Sequence, residues 1–375
     1  MIDPHGADVQ DVLANIPPER AQDVIYFDPA STERPLALNM LEYDINRPEE
    51  KTFVVNELFN IFQKLYGKVP ESMGPMFEQY FRNATMLVID DPASGSTLLD
   101  VSRVLANKEY RQLKLAKCKN PVVVQFWREV AERAGGEAAL ANIVPYITSK
   151  FDVFLANDIM RPIIAQEKSS LNLREIMDGK KILLVNLSKG RLGDVNANLI
   201  GLILVGKILM AALARGAGNY PPFYLHIDEF QNVTTNSIAT ILSEARKYKL
   251  SLTMAHQFIA QLEEEIKNAV FGNVGSLVSF RVGADDAEYL EKQFAPVFTA
   301  KDLLNIDNRH AYVRMLVNGR PERPFSIETL PPPQGNQQNI GSLAEMTKLK
   351  YGRNRSEVES EIMAKYSSGV TNNPI

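Results

Sequence analysis

Short apolar segments alternate with helical periodicity in the second half of the chain, and this alternation restricts the available folds more than any other feature. The segments typical of buried strands and the helical segments between them cover residues 181–187, 199–214, 223–227, 237–248 and 250–254. The first strand segment is apolar without interruption, as in strands that are covered on both faces. The pattern therefore predicts the α/β class, with a parallel sheet flanked by helices.

The start of the chain contributes further strands to this predicted sheet. Residues 1–2 look like the end of a strand that runs into the turn Asp3-Pro4-His5-Gly6, and residues 8–14 have helical spacing. Residues 23–28 carry the β-branched and aromatic side chains of a buried strand. Because strands usually have four or more residues, we expect the first strand to be incomplete.

The middle of the chain differs from both ends. From residue 52 to residue 166 apolar side chains recur every three or four positions, and no convincing strand interrupts them. Residues 331–340 are rich in proline and glutamine and indicate a linker, and the polar tail favours one helix at 355–366 before a disordered end. We predict four parts, which are an α/β part at 1–51, an all-helical insertion at 52–166, a second α/β part at 167–330, and a linker and tail at 331–375.

Composition limits the functional classes. Forty-five acidic against 41 basic residues give a net charge of −4, so any contact with DNA must come from local patches. The single cysteine, Cys118, excludes an internal disulfide framework and fits a reducing cytoplasm. The longest apolar run, 199–213, has about fifteen residues, fewer than the ~20 that a membrane span needs. We expect it to be a buried core helix and expect no membrane span in the chain.

Two adjacent carboxylates, Asp228 and Glu229, directly follow the strand segment 223–227. The Walker B strand of nucleotide-hydrolysing ATPases ends in this way, with the first carboxylate holding Mg²⁺ and the second polarising the attacking water. A solvated strand end is the alternative interpretation. The pair gives the sequence its first indication of chemistry.

The next strand segment, 250–254, is flanked by two further candidates. Gln257 follows its end, where parallel sheets of this kind place an amide that senses the γ-phosphate. Arg246 precedes its start, and its guanidinium could reach a neighbouring subunit's nucleotide. A turn-capping glutamine and a solvated helix end are the respective alternatives.

A phosphate-binding loop is missing from the 375 residues. The stretch from Gly201 to Lys207 has the letters GxxxxGK, but its four intervening residues are bulky and Ile208 replaces the required Ser or Thr. No strand precedes it, and its periodicity is helical. We interpret it as part of a core helix.

A basic cluster lies within the insertion. Six cations between residues 103 and 119 stand against one acid, Glu109. Lys108, Arg111 and Lys114 are three residues apart and would share one helix face. The functional hypothesis is a patch that binds DNA phosphates without sequence preference. An ordinary solvated face is the alternative.

Several ordered blocks of the sequence resemble one family. They are residues 2–6 (IDPHG), 23–29 (DVIYFDP), 39–41 (NML), 184–190 (LVNLSKG), 224–230 (YLHIDEF), 244–248 (EARKY), 255–257 (AHQ) and 272–275 (GNVG). The chain resembles the HerA/FtsK-type DNA-pumping ATPases up to about residue 333. The best match among these is the family of coupling proteins that serve conjugative DNA transfer in type IV secretion systems.

This resemblance implies a RecA-like fold of the P-loop NTPase type and a hexameric ring with ATP and Mg²⁺ between subunits. DNA would be the cargo, with a relaxase and secretion-channel proteins as further partners. It also implies roles for the candidate residues. Asp228 would be the Mg²⁺ carboxylate, Glu229 the catalytic one, Gln257 the sensor and Arg246 the arginine that acts on a neighbour. Asp3 and His5 would lie near the bound nucleotide.

The chain departs from the family in one respect. A strand, a glycine-rich phosphate loop, a helix and membrane anchors precede the Asp-Pro-His-Gly segment in these proteins, and here they would fall before Met1. We expect a truncated motor domain that is inactive alone, with two sheet edges or a gap where the strand is lost. It would be cytoplasmic, held at the inner face of the membrane by missing segments or partners.

Three alternatives remain open at this point. The chain could be a subunit of a split motor, or a degenerate relative that serves only in assembly or DNA binding. It could also be an unrelated doubly wound enzyme that uses Asp228 and Glu229 for other metal chemistry.

Overall fold

The fold is built on a parallel sheet of five strands. The computed structural model describes residues 1–67, 70–132, 136–216 and 218–367, without the side chains of a few of them, Arg246 included. The strands are β1 (Ile2–Asp3), β2 (Val24–Phe27), β3 (Ile182–Asn186), β4 (Phe223–Ile227) and β5 (Leu250–Met254). They lie side by side in the order β2-β3-β1-β4-β5 and all run parallel. The predicted α/β class is confirmed.

The short strand β1 lies at the centre of this sheet. Ile2 pairs with Val185 on one side and with Ile227 on the other. The backbone carbonyls of Ile2 and Asp3 accept hydrogen bonds from the N–H groups of Asp228 (3.1 Å) and Leu187 (2.9 Å). The five strands therefore form one continuous sheet, without the gap that we considered from the sequence.

Helices form the middle of the chain, as predicted. After α1 (Ala7–Ala14), the segment between β2 and β3 contains α2 (Pro48–Tyr66), α3 (Pro75–Asp90), α4 (Leu98–Ala106), α5 (Lys108–Lys117), α6 (Pro121–Gln125), α7 (Gly136–Leu155) and α8 (Arg161–Ile164). A π-helical turn covers Phe126–Ala131. Stacked and tilted rings of Phe62, Phe81 and Phe151, with centroids 4.6–5.6 Å apart, hold α2, α3 and α7 together. Between 28 and 181 the described residues form no strand.

Five more helices accompany the second half of the sheet. They are α9 (Leu173–Asp178), α10 (Lys189–Leu192), α11 (Asp194–Leu213), α12 (Ser237–Glu244) and α13 (Glu264–Asn273). In α11 the buried Lys207 donates a hydrogen bond to the carbonyl of Asn39 at 2.8 Å, so the GxxxxGK stretch is indeed core helix. The helix has 20 residues, more than the predicted run, and is long and apolar enough to cross a membrane; 72% of its most apolar window is buried inside the fold. Such burial is typical of a core helix.

A second, antiparallel sheet lies within the predicted second α/β part, 167–330. Its strands do not extend the parallel sheet. Instead β6 (Leu277–Ser279), β7 (His310–Arg314) and β10 (Phe325–Glu328) pair in the order β10-β7-β6, beside the two-residue strands β8 (Leu316–Val317) and β9 (Arg320–Pro321). With α14 (Ala284–Phe294) and α15 (Ala300–Leu304) this sheet has its own small core, which includes Leu290, Phe294 and Leu303. β6 belongs to this second sheet and does not pair with β5.

The C-terminal segment is more ordered than predicted. The helix predicted at 355–366 is present as α17 (Arg355–Ser367), and a further helix, α16 (Gln338–Tyr351), begins inside the predicted linker. α16 packs beside β2, where the Tyr26 N–H donates to the hydroxyl of Thr347 at 3.0 Å. The buried side chains of Leu343 and Thr347 hold this helix in place. It covers the β2 edge of the sheet.

Candidate functional site

A tight turn after β1 presents His5 at the carboxyl edge of the sheet. The buried Asp3 carboxylate accepts hydrogen bonds from the backbone N–H groups of His5 (2.7 Å) and Val9 (3.1 Å), the second of these at the start of α1. Gly6 has a φ of +86°, and a Cβ there would lie 2.2 Å from Oδ1 of Asn186. Only glycine therefore fits at this position. The two hydrogen bonds to Asp3 hold the turn, while the His5 side chain is exposed.

The adjacent strand β4 delivers the two carboxylates to the same edge. The Asp228 N–H donates to the carbonyl of Ile2 at 3.1 Å, which fixes the strand end against β1. Glu229 has a left-handed backbone with a φ of 47° and is only 8% exposed. The side-chain amide of Gln231 donates a 2.6 Å hydrogen bond to Oε2 of Glu229. Glu229 is thus a buried and oriented carboxylate.

These two elements bring His5, Asp228 and Glu229 together. Their potential ligand atoms lie within 4.8 Å of one another, and within the described ranges this is the one group of three or more such side chains. Burial raises the pKa of Asp228, and the neighbouring carboxylates of Glu229 and Asp3 raise it further. The two carboxylates concentrate negative charge and offer the oxygen donors that suit a divalent cation such as Mg²⁺. The residues therefore fit the cation that the sequence predicts.

The two candidates beside β5 lie at opposite ends of that strand. Gln257 is exposed and follows the carboxyl end of β5, the edge that also carries Asp228. Next to it, His256 packs edge-on against Phe230 with ring centroids 5.3 Å apart, and burial lowers its pKa. The backbone of Arg246 precedes the amino end of β5. A five-residue strand is about 16 Å long, so Arg246 lies about that far from the carboxyl end that Gln257 follows. The Arg246 side chain lies outside the described part of the structure.

Comparisons with known proteins agree with this architecture. A family model described as the TraM recognition site of TraD and TraG matches residues 222–294. Among solved structures, the unbound conjugative coupling protein TrwBdeltaN70 matches with a TM-score of 0.61 and 12% identity, over 91% of this chain and 80% of its own. TrwB in complex with ADP and Mg²⁺ matches with a TM-score of 0.58 and 14% identity over the same shares.

The chain has the fold of the conjugative coupling proteins. The RecA-like prediction is thereby confirmed. VirB4 of Thermoanaerobacter pseudethanolicus is a more distant match, with a TM-score of 0.50 and 13% identity over 88% of this chain and 81% of its own. No curated protein sequence matches the chain.

One residue of the candidate site was not predicted from the sequence. Gln231 is only 7% exposed, and its amide group bridges Oε2 of Glu229 (2.6 Å) and Oε1 of Gln261 (2.9 Å). In the sequence it is one polar residue in a turn after β4, which is an ordinary pattern for solvent-facing loops. Its proximity to Glu229, two positions earlier, was the only available signal.

The predicted basic face is wrong for two of its three residues. Arg111 and Lys114 are buried, and only Lys108 is exposed. The Arg111 guanidinium donates to two carbonyls at the end of α4, and the Lys114 ammonium donates to the carbonyls of Val88 (3.1 Å) and Asp91 (2.9 Å). Burial lowers the pKa of Lys114 to about 8. These cations satisfy carbonyl groups inside the insertion and form no DNA-facing patch with Lys108.

Proposed function

We propose that this chain is the motor-domain portion of a DNA-translocating ATPase of the coupling-protein type. The observation that carries the proposal is the convergence of His5, Asp228 and Glu229 at the carboxyl edge of a five-stranded parallel sheet. Open α/β sheets bind their ligands at this edge. The coupling-protein fold supports the choice of DNA as the cargo and of a ring of copies as the assembly.

In this proposal, Asp228 holds Mg²⁺ and Glu229 orients the attacking water and accepts its proton. Asp228 would hold this ion, which would supply positive charge against the negative charge that develops on the phosphate. Glu229 suits its role because it is buried and is held by the Gln231 amide. Solved structures of TrwB include complexes with ADP and Mg²⁺ and with a non-hydrolysable ATP analogue, which supports the same ligands here.

Further roles follow from position. Gln257, exposed beside Asp228, would contact the γ-phosphate. Arg246, whose backbone lies at the opposite end of β5, would serve a neighbouring copy's nucleotide in a ring. Asp3 would act through His5, because its carboxylate is occupied by two backbone hydrogen bonds.

The phosphate loop has a natural place in this scheme. Among the described residues β5 pairs with β4 alone, so its outer edge is open. A further parallel strand there would bring a phosphate loop next to Gln257 and Asp228. Because the 375 residues contain no such loop, we expect the chain to hydrolyse no ATP by itself.

Steady-state ATP turnover tests the proposal. The chain alone should be at background, and fusion of a strand, phosphate loop and helix from a coupling protein to its N-terminus should create turnover. Glu229→Gln should remove that turnover, whereas Glu263→Gln, an exposed acid after β5, should not. Turnover by the unfused chain that Glu229→Gln abolishes would contradict the expected inactivity. Turnover in the fusion that survives Glu229→Gln would contradict the catalytic role.

A second candidate is a non-catalytic subunit for assembly or DNA binding. The observation in its favour is the missing phosphate loop itself. A fusion that binds nucleotide and hydrolyses none with Glu229 intact would support this alternative. In either case the partners would be DNA, further copies of the chain, a relaxase complex and channel proteins. The family description of residues 222–294 names TraM recognition, which supports a protein contact there. We place both candidates in the cytoplasm, at the inner face of the membrane.

A further inference from the structure

We propose that the hairpin of β8 and β9 is an arm that binds the phosphodiester backbone of DNA through Arg314, Arg320 and Arg323. The proposal rests on the proposed function only for the choice of DNA as the ligand. It places the contact outside the helical insertion, where two of the three cations predicted to bind DNA are buried.

The arm is the end of a two-stranded ribbon that extends beyond its sheet. β7 and β10 form the base of the ribbon, and the third strand, β6, pairs with β7 no farther than Arg314. Beyond that residue only β8 and β9 pair, with Leu316 opposite Pro321. Residues 316–323 are all exposed. At about 3.4 Å per residue, the segment 315–317 carries the turn roughly 10 Å beyond the last residue that pairs with β6.

The turn at the end of the arm has the backbone of a tight hairpin. Asn318 and Gly319 both have a positive φ, of 52° and 77°. Two successive residues of this kind form a type I′ turn, for which Asn-Gly is a preferred sequence. The arm is therefore an ordered hairpin that can hold side chains at fixed positions.

A β-bulge at the base of the arm places two of the arginines across from each other. The pairing register changes by one residue between β7–β10 and β8–β9, so that Arg314 lies across from Arg323 and Pro324. Like charges on opposite strands destabilise a ribbon. The stability of the hairpin therefore does not explain this arrangement, whereas a bound polyanion would stabilise it.

The arm is basic in an acidic chain. Residues 314–323 contain three arginines and one acid, Glu322, whereas the whole chain has a net charge of −4. The rest of the chain therefore carries −6 and repels a polyanion on average. Among the described residues, no carboxylate lies within 4.0 Å of the guanidinium groups of Arg314, Arg320 or Arg323. These three groups can therefore pair with an external anion.

DNA fits these features better than a membrane surface does. A guanidinium group matches the oxygens of a phosphate with two parallel hydrogen bonds, and the major groove of B-DNA is wide enough for a two-stranded ribbon. The exposed apolar side chains, Leu316 and Val317, are adjacent in one strand and point to opposite faces. They form no common apolar face that could enter a lipid bilayer. We expect binding without sequence preference and with a strong dependence on salt.

Fluorescence anisotropy with the full chain, without nucleotide, tests the proposal. The probes are a labelled single strand and a labelled duplex of about 30 nucleotides in length. Arg314→Ala, Arg320→Ala and Arg323→Ala in combination should weaken binding of at least one probe by about tenfold or more. The slope of log affinity against log salt concentration should fall by about two to three, since each phosphate contact contributes ~0.7–0.9. The probe with the larger loss is the form of DNA that the arm binds.

A matched control removes the same charge elsewhere. Arg128→Ala, Lys292→Ala and Lys350→Ala in combination change three exposed side chains outside the arm. This control should alter affinity by less than about twofold. Lysine at the three arm positions keeps the charge and should preserve the salt slope. Circular dichroism and the urea midpoint of each variant show that the fold is intact.

The proposal is overturned if neither form of DNA binds, or if the arm variant and the control lose the same affinity. It is also overturned if poly-L-glutamate or phosphatidylglycerol vesicles bind more tightly than DNA with the same dependence on the three arginines. In those cases the ligand is an acidic protein segment or a lipid. The proposed ATPase fails on a different measurement, the turnover of the fused protein with and without Glu229.

Discussion

The two edges of the five-stranded sheet are finished differently. At the β2 edge, α16 covers the strand, and Thr347 accepts the N–H of Tyr26. At the other edge, β5 pairs with β4 and with no other described strand, and the face of the sheet formed by β4 and β5 is uncovered there. Tyr224 and Ser251 form a cross-strand pair on that face, and Tyr224 is 61% exposed.

The difference shows which part of the sheet is complete within the described chain. Parallel sheets are normally covered on both faces. The bare β4–β5 face departs from this rule, whereas the part of the sheet around β2 is covered. The carboxylates Asp228 and Glu229 lie beside the bare region. The uncovered part of the sheet and the candidate site are therefore adjacent.

The largest expected effect is a loss of stability at the β2 edge, which α16 covers. Leu343→Ala, in α16, should lower the free energy of unfolding by about 2–4 kcal/mol, because it removes a buried side chain that packs against β2. Leu349→Ala in the same helix should cost less than about 0.5 kcal/mol, since that side chain is 63% exposed. Urea denaturation of both variants measures the difference. Equal losses would mean that α16 does not close this edge.

A smaller effect should separate the two edges directly. Thr347→Val leaves the Tyr26 N–H without its acceptor, and we expect a loss of about 1–3 kcal/mol. Thr253→Val, on the exposed face of β5, removes a hydroxyl that already faces water and should change stability by no more than about 0.5 kcal/mol. The same denaturation assay applies. A large loss for Thr253→Val would indicate that the β5 face is covered in solution.

The smallest effect is a pH dependence at the bare face. Partial desolvation at the sheet surface and the nearby N-terminal amino group lower the pKa of His226, on β4, below its ordinary value. The unfolded chain then binds more protons than the folded one between the two pKa values, so His226 reduces stability as the pH falls through that window. His226→Phe should flatten the fall in the urea midpoint between pH 7.5 and pH 5.5 relative to wild type. An unchanged slope would contradict the stated cause.

The sequence predicted the parallel sheet well because its strands are short, continuous apolar runs, as at 182–186 and 223–227. It could not assign β6 to a sheet, because a three-residue strand carries no information about its partner. It missed α16 because only Leu343 and Thr347 of that helix are buried, in a segment that otherwise has the composition of a linker.

The candidate site was likewise predicted only in part from the sequence. The carboxylate pair and the turn with His5 were found because each follows directly from a strand end. Gln231 was not found, because its role depends on a contact that only the folded turn creates. Arg111 and Lys114 were misplaced for a related reason. Their partners are backbone carbonyls of other helices, which have no signature in the sequence.

The left-handed backbone at Glu229 has an evolutionary consequence. A side chain in this conformation costs about 1 kcal/mol, and glycine there would relieve the strain. Selection for thermal stability alone would therefore discard the carboxylate at this position early, whereas selection for work at the sheet edge would keep it. A library randomised at position 229 and sorted separately for stability and for activity should enrich glycine in the first selection and the carboxylate in the second.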